Sequence, residues 1–485
     1  MPEILANISE LYQQWSHQAP DQIITLKQAG SNRQYFRILA GKNSYIVTYN
    51  PTNVKENNAF IEFSRHFKNN QLPVPEILHV DSRRTQYLQS DLGDISLFDI
   101  MKKEGFTDNV FELYKKTCTQ LARLQIEGGT NLDYNNCIAT KSFDKQAIYS
   151  DLLYFLFYFV RALEMPYDKN LLFNDFDLLS SYLMQEEQQF FMHRDCQSRN
   201  IMVKDDRVYF IDYQGGMEGA LQYDMASLLW QARAALPYEW RDELLIYYYE
   251  HANHLLGQGL NKKEFVANYD GFVLIRMLQT LGAYGFRGLF ERKHYFIASI
   301  PFALKNLKWF LDNKKMPIRL PELQKLLRVI TDDKLAAKFE TAKAGPHCPL
   351  TVKISSFSYK NGIPEDISGN GGGFVFDCRG LLNPGRMSEF KTLTGRDKSV
   401  QEYLIHKTEM LSFLQHVYSL VDISVEDYIK RDFSNLSVSF GCTGGQHRSV
   451  YAADKLAEHL KEKFGVNVDL RHCEQEKKNW INQPA

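Results

Sequence analysis

One segment constrains this chain more than any other: His193–Asn200, which reads HRDCQSRN and is followed by the apolar run Val208–Ile211 and then Asp212. Its form is H-R-D-x-x-x-x-N, then a strand that ends in an aspartate. This spacing brings two carboxylates and a carboxamide to where phosphoryl transfer from ATP needs them. We therefore predict that Asp195 is the base that accepts the proton of an attacking hydroxyl. Asn200 and Asp212 are the predicted oxygen ligands of Mg²⁺.

Structural roles compete with these interpretations. Asp195 could be a buried carboxylate that accepts loop amides, but His193 and Asn200 at the required offsets favour the base. His193 is expected to buttress the loop and not to transfer a proton. For Asp224, at the start of a predicted helix, an N-capping role is favoured over a catalytic one.

The composition is that of a globular protein with several folded units. A length of 485 residues fits two or three domains, and 44% hydrophobic and 24% charged residues are ordinary values. The formal charge of −1 gives no global attraction to nucleic acid or membrane. Seven scattered cysteines without a C-x-x-C pair, no signal-peptide pattern and no apolar run long enough for a bilayer predict a cytoplasmic protein.

Hydrophobic periodicity divides the chain into segments. Residues 1–92 read as a helix, paired strands, a second helix and two more strands, which is typical of the N-terminal lobe of a kinase. Residues 93–330 read as a mainly helical C-terminal lobe, and residues 331–350 as a linker. Residues 351–485 alternate strands and helices, with one long helix over Val400–Leu420, and predict a separate α/β domain. The predicted fold class is therefore α+β, a two-lobed kinase-like fold followed by an α/β domain.

The loop that should cover the phosphates departs from the protein-kinase pattern. Gly30–Arg33 carries one glycine, and the strand Ser44–Tyr49 lacks the lysine that normally contacts the α- and β-phosphates. Arg33 and Arg37 are the nearest cations that could bind phosphate, although a role as surface charge stays equally open. Without the lysine, the helix carboxylates Glu56 and Glu62 lose their expected partner.

Taken together, the segments His193–Met202, Asp212–Gln214 and Tyr223–Leu228 resemble the aminoglycoside phosphotransferase superfamily. Gly30–Arg37 and Gln89–Gly93 resemble its anomeric kinases for N-acetylmuramate and N-acetylglucosamine, a group that often lacks the strand lysine. The resemblance covers about residues 10–320. It implies ATP and Mg²⁺ as cofactors, a small-molecule sugar as acceptor, and a nucleotide hinge that contains Ser90, Asp91 and Leu92.

A second motif, Gly441–Ser449 (GCTGGQHRS), lies between a predicted strand and a predicted helix. Small residues allow backbone amides to converge on an anion at the positive end of the helix, and Arg448 could bind a phosphate with two hydrogen bonds. Cys442 and Arg448 also have the C-x₅-R spacing of cysteine phosphatases. Binding without catalysis is favoured over hydrolysis, because no general-acid aspartate can be placed from the sequence.

This motif, together with Phe376–Arg379, Leu382–Pro384 and Leu393–Asp397, resembles the C-terminal domain of the RapZ family over about residues 351–475. The resemblance implies an amino-sugar-phosphate ligand, specifically glucosamine-6-phosphate. On that basis we assign the ligand site to Asp377, Arg379, Cys442, Thr443, Gly444, Gly445, His447, Arg448 and Ser449.

The resemblance also raises an RNA partner, which the charge balance supports weakly. Residues 346–485 contain 17 basic and 17 acidic side chains, whereas nucleic-acid affinity depends mostly on an excess of Lys and Arg. The leading interpretation is an amino-sugar anomeric kinase fused to an amino-sugar-phosphate-binding regulatory domain. Two alternatives remain: a ligand- or RNA-responsive regulator without turnover, and a phosphotransferase for a choline-like, antibiotic or nucleoside acceptor.

Overall fold

The computed structural model describes residues 2–26, 33–187, 189–340, 342–365, 369 and 373–478. The chain separates into two compact units, Met1–Phe339 and Glu340–Ala485. Part of the interval that the sequence predicts as a linker, residues 331–339, belongs to the first unit. It includes a short helix whose Leu335 is buried in the core of that unit.

The first unit begins with a lobe built on an antiparallel five-stranded sheet of order β1-β2-β3-β5-β4. Helix α1 packs on one face, through Ile8 and Leu11 against Phe36 and Val47. Helix α2 belongs to the larger core that continues into the second lobe. The elements are α1 (Pro2–Ser16), β1 (Gln22–Thr25), β2 (Gln34–Ala40), β3 (Asn43–Tyr49), α2 (Val54–Asn69), β4 (Ile77–Val80) and β5 (Gln86–Ser90).

The second lobe of this unit is helical. Its helices are α3 (Leu97–Glu104), α4 (Asp108–Ile126), α5 (Lys145–Phe155), α6 (Lys169–Leu183), α7 (Leu221–Leu229), α8 (Tyr238–Leu255), α9 (Lys262–Tyr284), α10 (His294–Ile297), α11 (Ile300–Asn313), α12 (Pro321–Ile330) and α13 (Asp333–Ala337). The prediction of a β-rich lobe followed by a helical lobe is confirmed.

Four short strands lie between α6 and α7 and carry the candidate site. They are β6 (Phe190–Met192), β7 (Ile201–Lys204), β8 (Arg207–Phe210) and β9 (Met217–Gly219). Strand β6 pairs with β9, and β7 with β8, both antiparallel. The loop His193–Asn200 therefore connects two separate strand pairs, so that both of its ends are fixed.

Two helices of this lobe end in a wider π-helical turn where they meet. Leu156–Val160 extends α5, and Gly285–Phe290 extends α9. A Cβ on Gly285 would lie 2.1 Å from the carbonyl oxygen of Tyr158, so this backbone contact requires glycine. The sequence pattern predicts one continuous helical segment at each place and does not distinguish the π turns.

The second unit is an α/β domain around a parallel four-stranded sheet of order β11-β12-β10-β13. Helices α15 and α16 cover the sheet with Val417, Val421 and Leu456 against Ile354 and Val438. Its elements are β10 (Thr351–Ser358), β11 (Gly373–Asp377), α14 (Lys398–Lys407), α15 (Met410–Lys430), β12 (Asn435–Cys442), α16 (Arg448–Phe464), β13 (Asn467–His472) and α17 (Cys473–Lys477). The predicted α/β class of this domain is confirmed.

The single helix predicted over Val400–Leu420 is wrong. The chain forms α14 and α15, separated at Thr408, whose backbone is extended (φ −139°, ψ 169°). The Thr408 hydroxyl donates to the carbonyl of Leu404 and accepts from the amide of Met410, so a side chain replaces the helical hydrogen bonds. Within the described residues, no helix combines the length and the apolar character that a bilayer crossing requires.

Candidate functional site

One buried carboxylate, that of Asp224, accepts hydrogen bonds from the start of the loop His193–Asn200. One oxygen of Asp224, in the first turn of α7, accepts from the amide of His193 at 2.7 Å, and the other accepts from the amide of Arg194 at 3.0 Å. Gln125 donates to the same group at 3.1 Å. Burial raises the pKa of Asp224, and its hydrogen-bond donors act in the opposite direction. The predicted N-cap role is wrong: Ala220 is the N-cap, and Asp224 anchors the loop.

His193 buttresses the loop, as predicted. Its Nε2 lies 3.0 Å from the carbonyl oxygen of Ile211, and its ring is fully buried. A ring that spans from the start of the loop to the residue before Asp212 ties the two chemical segments together. The burial of the ring and its contact with a backbone carbonyl fit a supporting role for His193.

Arg194 adopts the left-handed backbone conformation, with φ at 79°. Its guanidinium makes two hydrogen bonds to Asp151, at 2.8 and 2.9 Å, and one to the hydroxyl of Tyr223. A non-glycine residue with positive φ is energetically unfavourable and needs support from its surroundings. Here the support is an ion pair and a cation–π contact of 4.8 Å over Phe143. The residue that follows this strained turn, Asp195, is exposed.

The structure brings the predicted base and the predicted oxygen ligands together. Asn200 donates from Nδ2 to the carbonyl of Asp195 at 2.9 Å, so its Oδ1 is not used in this contact. The amide of Ile211 donates to the carbonyl of Asn200, so the pairing of β7 with β8 brings the backbone before Asp212 next to Asn200. Asp195 is exposed, with 52% of its side chain accessible.

These oxygens fit a hard cation. Asp212 uses Oδ1 to accept from Arg33 and Gln214, and Oδ2 has no recorded hydrogen bond in the described part of the chain. One carboxylate and one amide oxygen are the usual protein share of a Mg²⁺ site that is completed by water and phosphate oxygens. No group of three or more His, Cys, Asp or Glu side chains forms a ligand set among the residues described. A bound metal would therefore depend on the substrate phosphates for the rest of its coordination.

Arg33 forms ion pairs with carboxylates from two different segments. Its Nη2 lies 2.7 Å from Asp212 Oδ1, and its Nε lies 3.6 Å from Glu56 on α2. Burial would lower the pKa of Arg33, but neighbouring Tyr35, Asp212 and Glu56 raise it above its ordinary value. The pKa of Asp212, which burial would raise, is lowered by the charge of Arg33. Both groups are therefore ionised. The rest of the predicted loop, Gly30–Asn32, lies outside the described residues.

Arg37 does not contact Asp212 and instead lies at the hinge, the segment between β5 and α3. Its guanidinium binds Asp91 at 2.6 and 3.1 Å and Asp94 at 2.7 and 2.8 Å. Burial would raise the pKa of Asp91, but hydrogen bonds from Arg37 and from the Gly93 amide lower it. The structure therefore does not bring Arg37 to the group formed by Arg33 and Asp212. Instead it braces the segment between the lobes.

The predicted hinge residues occupy the connection from β5 to α3. The Ser90 hydroxyl accepts from the amide of Glu76 at 3.0 Å, and the backbone carbonyl of Asp91 accepts from Lys204 at 2.9 Å. Leu92 is half-buried between them. Lys204 lies on β7, so the hinge is fixed to the strand pair that carries Asn200.

One residue at the site was not predicted from the sequence. Arg276, on α9, donates from Nη2 to Asp195 Oδ1 at 3.0 Å, although it is 5% exposed. Its place in an apolar helical stretch predicts burial in the helical core. Because Asp195 lies 81 residues earlier, no pattern in the sequence around Arg276 indicates that the two residues pair.

The glycine-rich loop of the second unit lies at the carboxyl end of the parallel sheet. Cys442 ends β12, and Arg448 begins α16. The thiol of Cys442 is 3% exposed and lies 3.2 Å from the Ser449 hydroxyl. Burial would raise the pKa of Cys442, but hydrogen bonds from Ser449 and from the Ser449 and Gln446 amides lower it. The loop amides thus already favour a negative charge at this position.

The remaining predicted residues of this site divide into an exposed and a buried group. Thr443 and Gly444 are exposed, whereas Gly445, His447, Arg448 and Ser449 are buried. Asp377 pairs in register with Gly441 and forms an exposed ion pair of 2.6 Å with Arg379. A Cβ on Gly445, which has φ at 62°, would lie 2.4 Å from Glu474.

Two basic side chains of this loop bind backbone carbonyls. Arg448 donates from Nη1 to the carbonyls of Arg379, at 3.1 Å, and Leu381, at 2.6 Å. The His447 ring lies 2.8 Å from the carbonyl of Phe390. Arg448 therefore connects the loop to the segment after β11, and its buried Nε has no hydrogen-bond partner among the described residues.

Comparisons with known proteins agree with this division of the chain. Residues 23–256 match the family described as the phosphotransferase enzyme family, and residues 350–476 match the RapZ C-terminal domain. A nucleotide-binding protein of Limosilactobacillus reuteri is 44% identical over 126 residues, which is 26% of this chain and 41% of the relative. A nucleotide-binding protein of Fusobacterium nucleatum is 34% identical over 185 residues, 36% of this chain and 62% of the relative.

The chain thus spans 41% to 62% of the length of these two relatives. Among solved structures, a choline kinase from Cryptosporidium parvum aligns with 68% of this chain and 100% of its own, at 14% identity and a TM-score of 0.48. A similarity at this level assigns no activity. The family matches, by contrast, cover the two motif-bearing segments: residues 23–256 are similar to the phosphotransferase enzyme family, and residues 350–476 are similar to the RapZ C-terminal domain.

Proposed function

We propose that the first unit transfers the γ-phosphoryl group of ATP to a hydroxyl of a small molecule, with Asp195 as the base. The observation that carries this proposal is the placement of Asp195, Asn200 and Asp212 in one loop and the strand pair that follows it, with Arg33 bonded to Asp212. Phosphoryl transfer requires positioning and charge stabilisation more than covalent chemistry, and these residue types supply both.

Each residue has a distinct part in this proposal. Asp195 accepts the proton of the acceptor hydroxyl as the oxygen attacks phosphorus. Arg33, held by Glu56, donates to the phosphate chain in place of a lysine, and its planar guanidinium can contact two oxygens at once. Asn200 and Asp212 would hold Mg²⁺, which supplies positive charge to the phosphate oxygens when bound.

The acceptor we propose is an N-acetylated amino sugar, phosphorylated at its anomeric hydroxyl. Two lines of argument support this choice. The segments Gly30–Arg37 and Gln89–Gly93 resemble the anomeric kinases of N-acetylmuramate and N-acetylglucosamine. The same chain also carries a RapZ C-terminal domain, for which an amino-sugar phosphate is the expected ligand.

A panel of acceptors tests the activity and the acceptor together. ADP release is measured with N-acetylmuramate, N-acetylglucosamine, choline, an aminoglycoside and a nucleoside. Phosphorus-to-proton correlation by NMR then identifies the phosphorylated position. We expect turnover with an amino sugar and a phosphate on its anomeric oxygen. If only choline or the antibiotic supports turnover, that compound and not an amino sugar is the acceptor. No turnover with any of them would reject the kinase in favour of a regulator.

Two matched variants assign the chemistry to the site. Asp195→Asn removes the base and is expected to lower the turnover rate by about 10²–10⁴-fold. Asp206→Asn changes an exposed aspartate in the turn between β7 and β8, where it pairs with Lys116, and should leave the rate unchanged. Equal losses in both variants would show that the effect is not specific to the base.

For the second unit we propose binding of an amino-sugar phosphate without hydrolysis. Amides of the loop after β12 and the start of α16 supply the anion site. The buried thiol of Cys442 and the engagement of Arg448 with two carbonyls favour binding over nucleophilic attack. Calorimetry with glucosamine-6-phosphate should detect binding by the wild type and by Cys442→Ser. Phosphate release from the wild type that Cys442→Ser abolishes would instead establish a phosphatase.

A further inference from the structure

Arg276 is a buried cation that contacts the predicted base, Asp195. It lies on α9, between the buried residues Ile275 and Met277, and only 5% of its surface is exposed. It falls outside residues 23–256, the part of the chain that matches the phosphotransferase enzyme family. Burying a charge is costly unless it is paired and hydrogen-bonded, so its contacts explain why it is tolerated.

The guanidinium is held in one orientation by three groups. Nε donates to the Ser227 hydroxyl at 3.0 Å, and Nη1 donates to the side chain of Gln279, one turn further along α9. Nη2 donates to Asp195 Oδ1 at 3.0 Å. Two of these contacts lie inside the helical lobe, and the third is with the predicted base.

Helix α7 contacts both the backbone just before Asp195 and, through Arg276, the side chain of Asp195. Ser227 lies on α7, one turn after Asp224, which holds the backbone amides of His193 and Arg194. Helix α7 thus fixes the backbone of the loop through Asp224. It fixes the side chain of Asp195 through Ser227 and Arg276.

The asymmetry of this ion pair indicates function more than stability. The Arg276 side chain is 6% exposed, whereas that of Asp195 is 52% exposed. An ion pair with one exposed partner contributes little to stability once solvent screening is counted. Only Oδ1 of Asp195 has a recorded hydrogen bond in the described part of the chain, so Oδ2 is open to a ligand.

We infer that Arg276 is a positioning residue for phosphoryl transfer, and that it holds the Asp195 carboxylate with Oδ2 toward the acceptor hydroxyl. This inference rests on the proposed kinase activity. With Oδ1 occupied, the carboxylate cannot rotate freely, and the attacking hydroxyl meets the same oxygen in every turnover. Reacting groups held in place avoid an entropic cost that would otherwise raise the barrier.

Kinetics separate positioning from simple stability. Arg276→Met keeps most of the buried volume and removes the guanidinium. We expect kcat to fall by about 10- to 100-fold with KM for ATP unchanged, because the nucleotide contacts are made elsewhere. Arg276→Lys should recover part of kcat, and added guanidinium ion should partly rescue Arg276→Ala. A fall in kcat that neither change restores, or a loss confined to KM, would overturn the inference.

Arg241 provides a matched control. It is also a buried arginine, 3% exposed, but it donates to the carbonyl of Leu236 and to Asn306 and stacks on Trp230. Arg241→Met should lower the melting temperature without changing kcat per folded molecule. If both variants lower kcat equally, Arg276 acts through general stability.

A readout that needs no activity distinguishes this inference from the proposed function. In a crystal structure of Arg276→Met we expect the Asp195 carboxylate to occupy more than one orientation. A single orientation identical to that of the wild type would overturn the inference even if the enzyme is active. Mobile Asp195 in a protein that phosphorylates nothing would uphold the positioning role while rejecting the kinase.

Discussion

Asp224→Asn is the substitution from which most can be learned, because the carboxylate serves two backbone amides at once. One oxygen accepts from His193 and Gln125, and the other accepts from Arg194. An asparagine keeps a single acceptor oxygen, so its amide nitrogen must face one of these donors. The best arrangement preserves the bonds to His193 and Gln125 and leaves the amide of Arg194 without an acceptor.

The size of the effect follows from these contacts. A buried amide that loses its partner costs about 1–3 kcal/mol, and the remaining bonds become weaker when the acceptor is no longer charged. Relief of the buried negative charge, seen in the raised pKa of Asp224, offsets part of this cost. We expect the unfolding free energy of the first unit to fall by about 2–3 kcal/mol. Because the orphaned amide belongs to Arg194, whose backbone is already strained, the turnover rate should also fall, by about 10²-fold.

Urea denaturation followed by tryptophan fluorescence measures the stability change. Of the five tryptophans, Trp15, Trp230, Trp240 and Trp309 lie in the first unit. ADP release at a temperature where both proteins are folded measures the rate.

Asp175→Asn is the matched control for this experiment. Asp175 is a buried carboxylate on α6 that accepts from the amide of Leu323 at 2.8 Å, away from the catalytic loop, and burial raises its pKa as well. It should cost similar stability and leave the rate per folded molecule intact. If Asp224→Asn is destabilised but turns over at the wild-type rate, the loop does not depend on this anchor and the reasoning fails.

Three further predictions follow from single contacts. Burial raises the pKa of Asp270 from 3.8 to about 6, so the folded protein binds this proton more tightly and loses stability as pH rises between these values. Asp270→Asn should therefore raise the free energy of unfolding, measured with urea, by about 2 kcal/mol at pH 7.5 and leave it unchanged at pH 3.5. Equal gains at both pH values would refute the pKa shift. Gly285→Ala places a Cβ 2.1 Å from the Tyr158 carbonyl and should cost about 3 kcal/mol, seen as a lower melting temperature. Arg33→Met should lower kcat/KM for ATP by about 10- to 100-fold, because Arg33 pairs with Asp212 at the candidate site. Arg37→Ala should lower the free energy of unfolding by about 1 kcal/mol and leave kcat/KM unchanged, because Arg37 pairs with Asp91 at the hinge. The reverse result would assign the phosphate contact to Arg37 and the structural role to Arg33.

The sequence predicts which residues form the candidate site because these residues lie close together in the chain. Asp195 and Asn200 are in one loop, and Asp212 follows a strand that pairs directly with the end of that loop. Alternating hydrophobicity likewise predicts β2 and β3, whose register matches the paired strands expected. These features depend on neighbours within a few tens of residues, so local patterns are enough.

The supports of the site are not predictable in this way. Arg33 meets Asp212 across 179 residues, and Arg276 meets Asp195 across 81. Asp224 has the spacing of a helix cap, and only the packing of α7 under the loop turns it into an anchor. The break at Thr408 depends on whether one hydroxyl bonds to its own helix, a choice that hydrophobic periodicity does not record.

The all-parallel sheet of the second unit has a consequence for the order of folding. Its central strand β10 pairs with β12 across 84 residues and with β13 across 116. Among the described strands of this sheet, no two form a hairpin, so strand pairing must wait for segments that are distant in the sequence. During synthesis the first unit can fold while β10 is still without partners, and its unpaired edges and the side chains of Val352, Ile354 and Phe357, buried in the finished fold, are then open to aggregation. We therefore expect β10 to be the segment that chaperones protect, and its burial to be the slowest step in producing the protein.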